Sequence, residues 1–222
     1  MTRKCLILIF MGLCSVFSAA ASKPHVVALG KWTTATFFLG SEEDTTVNIR
    51  IRPLIVDGKT REFTTGDFHD VTDRTFVVRR AYRLNDTLPA DPPNAANRWR
   101  WQRGGWVLVD RVTGKVSQLN LPEFDPFYSE ASWYRDYVAY CGVSDDGEKL
   151  YAMVAQLGRR KPLLKKALGQ AQGGDTPESE CTLPGWQRRP TRVTFSPAGK
   201  AKLTFEVWGR SVDLANEAEA DE

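Results

Sequence analysis

The sequence predicts an all-β fold, an antiparallel meander of short strands, on three observations. Aromatic and β-branched residues come in brief runs, Gly, Pro, Asn and Asp divide those runs, and no stretch sustains helical periodicity. The first runs are His25 to Leu29 and Trp32 to Leu39. Thr46 to Val56 comes next and meets Arg61 to Thr65 across Asp57-Gly58, a hairpin dipeptide suited to positive φ. Thr75 to Leu84 and Arg98 to Gln102 flank a loop over 85–97 that holds Pro89, Pro92 and Pro93. Trp106 to Asp110 joins Lys115 to Leu119 through Thr113-Gly114, and Tyr137 to Gly142 joins Lys149 to Gln156 through Asp146-Gly147. A second loop over 169–180, with Gly173, Gly174 and Pro177, precedes Arg192 to Phe195 and Lys202 to Trp208, which turn at Ala198-Gly199.

The N-terminus reads as an export signal. Arg3 and Lys4 start it, an apolar run extends from Leu6 to Phe17, and Ser18, Ala19, Ala20 and Ala21 supply the small residues of a cleavage site. That run falls short of the roughly 20 residues of a membrane-spanning helix, and no later stretch reaches that length. Leu13 before Cys14 and Lys4 before Cys5 argue against a lipid-modified cysteine. The expected organisation is a signal peptide over 1–21, one all-β domain over 22–214 and an acidic tail over 215–222, with the mature protein periplasmic or secreted.

Cleavage changes the charge and the cysteine count. Removing Arg3 and Lys4 takes 30 basic residues to 28 against 27 acids, so the mature chain is nearly neutral and no nucleic-acid partner is expected. Two of the four cysteines leave with the signal, and the remaining pair, Cys141 and Cys181, is read as a disulfide of the oxidising exterior.

The middle of the chain carries a repeat-like order. Trp133-Tyr134-Arg135-Asp136 precedes Val138-Ala139-Tyr140, then Ser144-Asp145-Asp146-Gly147, Leu150-Tyr151 and Gly158. Leu108-Val109-Asp110 with Thr113-Gly114-Lys115, and Phe195-Ser196-Pro197 with Gly199-Lys200, fit the same scheme. These segments, mainly 106–166 and 193–205, resemble blades of TolB-type or WD-type β-propellers. The resemblance implies a propeller-like repeat; a β-sandwich or barrel is the alternative. Propellers serve as enzymes and as scaffolds, so the resemblance leaves function open.

Chemistry is sparse. Asp67, His69, Asp70 and Asp73 bring imidazole and carboxylates together, but Gly66 and Thr72 flank them with turn chemistry, and the segment reads as a solvated turn with no metal. After cleavage His25 and His69 are the only imidazoles, and no Gly-x-Ser-x-Gly, phosphate loop or dinucleotide fingerprint occurs. Gly158-Arg159-Arg160-Lys161 with Lys165 and Lys166 reads as a charged hairpin edge.

The most unusual segment is Arg98 to Trp106. Strand alternation sets Trp99 and Trp101 on one face and Arg98 and Arg100 on the other, with Trp106 beyond Gly104-Gly105. An exposed Trp face would be a stacking platform; a buried one would be core. These five residues are the candidate ligand contacts. The expected function is an exported non-catalytic binding or scaffold domain contacting a protein partner or cell-envelope polymer, without cofactor. A carboxylate-based enzyme acting on an envelope glycan is the alternative.

Overall fold

The computed structural model describes residues 24–38, 46–85, 99–126, 129–171 and 181–215. The expected signal peptide, Arg98, most of the 85–97 and 169–180 loops and the acidic tail from 216 lie outside the described residues. All-β holds: among the described residues 15 strands form three sheets, and no helix occurs.

The first sheet contains β1 (Val27–Leu29), β2 (Thr33–Phe38), β3 (Thr46–Val56), β4 (Lys59–Asp70), β5 (Thr75–Asn85), β6 (Trp99–Asp110) and β7 (Val116–Gln118). β2 to β6 run as an antiparallel meander whose ends meet in a parallel contact at Phe37 and Trp101, so the pairings close a five-stranded ring. Asp57 and Gly58 both take positive φ, 53° and 75°, the geometry of a tight hairpin between β3 and β4.

The second sheet is a meander of β8 (Ala131–Tyr134), β9 (Tyr137–Val143), β10 (Lys149–Gln156) and β11 (Leu164–Gln170). The third is a meander of β12 (Gly185–Gln187), β13 (Arg192–Phe195), β14 (Leu203–Trp208) and β15 (Ser211–Leu214). One face of the second sheet, with Val138, Tyr140 and Met153, packs on Val77 and Trp106 of the first. Its other face, with Ala139, Leu150, Ala152 and Val154, packs on Val193, Phe195, Phe205 and Val207 of the third. Both faces of β9 are thus covered, which is why Val138 to Val143 are all buried and show no apolar–polar alternation. Cys141 of β9 lies at disulfide distance from Cys181, with 6.2 Å between Cα atoms, and Cys181 bridges to Pro197 beside the third sheet.

Several boundaries differ from the sequence expectation. The strand expected over Arg61 to Thr65 spans Lys59–Asp70, so Asp67, His69 and Asp70 stand on a strand and not in a turn. The physical reason is a bulge: Gly66 takes φ 68° and the register shifts between Thr65 and His69, after which pairing with β5 resumes. The strands expected at Arg98 to Gln102 and Trp106 to Asp110 are one, Trp99–Asp110, again joined through an irregular register opposite Arg79 to Ala81. Asn85 closes β5, and Gly169 and Gln170 belong to β11, so both loops begin later than expected.

Candidate functional site

A cleft of about 690 Å³ lies where β3, β4 and β6 of the first sheet face β8 of the second. Alternation along β6 and β5 turns Trp106 and Arg79, which are register partners, outward from the ring toward β8. Trp133 of β8 meets Trp106 edge to face, with ring centroids 5.3 Å apart. His69 of β4 stacks on Trp133 at 6.2 Å and 23°, and its Nε2 donates to the carbonyl oxygen of Arg135 at 2.8 Å. Both tryptophan rings line the cleft, and neither buried indole N–H has an acceptor among the described residues. Trp106 is only 7% exposed. A buried donor left unpaired costs roughly 1–3 kcal/mol, so each indole N–H calls for an acceptor, a water or a ligand oxygen.

Guanidinium groups line the same cleft. Arg50 and Arg52 lie over the Trp32 ring at 4.9 and 4.1 Å, both within cation–π range. Arg79 and Arg103 both donate to Glu130 Oε1, at 3.1 and 3.0 Å. Arg79 also donates to the carbonyl oxygens of Pro126 and Ser129 at 2.7 and 3.3 Å. Burial pulls the Arg79 guanidinium below the ordinary arginine value, opposed by the charge of Glu130. Burial acts likewise on Arg52, with Asp67 opposing it and Arg50 adding to it.

Of the candidate ligand contacts among the described residues, Trp99, Arg100, Trp101 and Trp106, the structure brings only Trp106 to this cleft. Trp99 is 50% exposed, with Arg83 5.5 Å above its ring. Trp101 is partly buried against Ala35, Phe37, Ile49, Ile51 and Ala81, and meets Phe63 edge-on at 5.1 Å. Arg100 is partly buried on the same strand, and Arg98 lies outside the described residues. The Asp67 to Asp73 segment divides. Asp67 and His69 line the cleft, Asp70 accepts from Arg111 at 2.6 Å, and the carbonyl of Asp73 accepts from the same arginine at 3.3 Å. Among the described residues no group of three His, Cys, Asp or Glu side chains gathers as a metal site would require.

Sequence reasoning missed Trp32, Arg79, Glu130 and Trp133. Their one legible signal was Arg79-Arg80 inside an otherwise apolar strand, since an arginine in a core run needs a buried partner. No protein-family model, curated protein or solved structure matches this chain.

Proposed function

We propose that this chain is an exported, non-catalytic binding domain that takes a saccharide segment of a cell-envelope polymer into the cleft between the first two sheets. The observation that carries this reading is the Trp106–Trp133 pair, two rings with unpartnered indole donors in one concavity. Saccharides suit it, because their C–H faces stack on indole and their hydroxyls accept the N–H. Arg50 and Arg103 add donors for the same hydroxyls. The Cys141–Cys181 pair supports an oxidising, exported setting. The two four-stranded meanders, packed face to face, suit the blade-like order over 131–166 and 193–205, whereas the hairpin at 108–115 belongs to the seven-stranded first sheet. A carboxylate enzyme has less support, since Glu130 is engaged by two arginines.

The test is calorimetric titration with soluble envelope-glycan fragments, with tryptophan fluorescence read in parallel. Binding that is lost in Trp133→Ala, and retained in the Trp208→Ala control on β14, supports the reading. No heat and no fluorescence change with any fragment up to millimolar concentration overturns it.

A further inference from the structure

A second concavity, of about 510 Å³, touches the first at His69 and is lined by all three sheets. β4 contributes His69 and Asp70, the β8–β9 turn contributes Arg135, and the β12–β13 turn contributes Arg188 and Arg189. We propose that Arg135, Arg188 and Arg189 form a binding site for a phosphate group. The proposal stands on this cavity's own residues and does not depend on what the tryptophan cleft holds.

The charge balance points to an anion. None of the three guanidiniums has a carboxylate partner among the described residues, and the one acid in the cavity, Asp70, is committed to Arg111 at 2.6 Å. Three like charges from two separate sheets line one solvent-open concavity, where their repulsion is modest and a multiply charged anion would be attracted to all three. Guanidinium forks suit an oxyanion with several oxygens, because each fork donates two parallel N–H bonds.

The backbone supports the same assignment. Arg135 sits at φ 54°, in the left-handed region where glycine is the unstrained choice. Its carbonyl oxygen is held by His69 Nε2 at 2.8 Å, which fixes the turn against β4. On the other side, Thr191 Oγ1 donates to the Arg188 carbonyl and Gln187 Nε2 to that of Arg189, both at 3.4 Å. A long charged residue therefore stands where sterics favour glycine, in a turn braced from its neighbour.

The test uses the full mature chain and inorganic pyrophosphate as probe. Arg135→Gly is the informative variant, because it removes the charge while relieving the backbone. Its melting temperature should hold or rise, and pyrophosphate affinity should fall about tenfold, a loss shared by Arg188→Gln and Arg189→Gln. Lys161→Gln, an exposed cation outside the cavity, should keep wild-type affinity. Vesicles carrying phosphatidate, beside neutral vesicles, separate a lipid-borne phosphate from a soluble one; cosedimentation with the former alone identifies a headgroup. The proposal is overturned if the wild-type chain binds neither pyrophosphate nor phosphatidate, or if Lys161→Gln loses as much affinity as Arg135→Gly.

Discussion

Arg79 of β5 donates to Glu130 Oε1 at 3.1 Å, and through this bond and two to the carbonyls of Pro126 and Ser129 it ties the first sheet to the segment leading into β8, while its Nε donates to the Gly104 carbonyl of β6. The Arg79 side chain is 8% exposed, whereas that of Glu130 is 40% exposed. The two ends of the pair are therefore unequal. Arg79→Met leaves the carbonyl oxygens of Pro126 and Ser129 without this donor and should destabilise by about 2–3 kcal/mol, the cost of leaving buried polar groups unsatisfied. Glu130→Gln keeps an acceptor at a partly solvated position and should cost about 1 kcal/mol. Thermal melts of the two variants check this, and equal, small losses would contradict the tie.

Cys141 and Cys181 are 40 residues apart in sequence and join β9 to the approach to the third sheet. Closing a loop of that length stabilises by roughly 4 kcal/mol in the chain-entropy model. Reduction, or Cys181→Ser, should lower the melting temperature by about 10 °C for a chain of this size. Alkylation of the denatured protein should add two labels only after reduction. Free thiols in the native protein would overturn the bridge.

Asp110 accepts from Arg74 Nε and Nη2 at 2.9 and 2.6 Å through Oδ2, and from the Val112 and Thr113 amides through Oδ1. The Arg74 bond, aided by the two amides, holds this carboxyl well below the usual carboxylate range. A depressed folded-state value means that the unfolded chain takes up the proton first as pH falls. The stabilisation is therefore whole above the unfolded value of about 4 and is lost as pH drops toward the folded value. Asp110→Asn should melt below wild type at pH 7, and the gap should narrow below about pH 4. A gap that is constant from pH 7 to 2 would remove this carboxylate from the acid limb.

Much of the fold was legible because its strands carry local signals. Thr46–Val56, Lys149–Gln156 and Arg192–Phe195 match their expected bounds, and Asp57-Gly58, Thr113-Gly114 and Asp146-Gly147 all place glycine at positive φ. Ala131–Tyr134, Gly185–Gln187 and Ser211–Leu214, of 3 or 4 residues, were missed; at that length alternation says little, and Arg192–Phe195, equally short, was legible beside the Ala198-Gly199 turn. Leu164–Gln170 was hidden by Lys165 and Lys166; it is the edge strand of its sheet, where cations belong. The cleft was illegible for a different reason. Trp32, Arg79, Trp106 and Trp133 are distant in sequence and meet only when the second sheet packs on the first, so no spacing encodes them.

The last prediction separates two tryptophans that strand alternation treats alike. Trp99 and Trp101 are two residues apart on β6, yet Trp99 is 50% exposed at the strand's start while Trp101 reaches the parallel contact with Phe37 that closes the ring. Trp101 packs on Phe37, Ile49 and Ile51 and against the Phe63 edge, so Trp101→Ala opens a cavity where the ring has no alternative filler. It should destabilise by about 3–5 kcal/mol, a loss of roughly 10 °C or more. Trp99→Ala removes a half-solvated ring and its contact with Arg83, and should change the melting temperature by no more than about 3 °C. The measurement is a pair of thermal melts on the folded protein. Equal large losses would show that Trp99 is also core and end its candidacy as a surface contact; equal small losses would show that the Phe37–Trp101 closure contributes little to the ring.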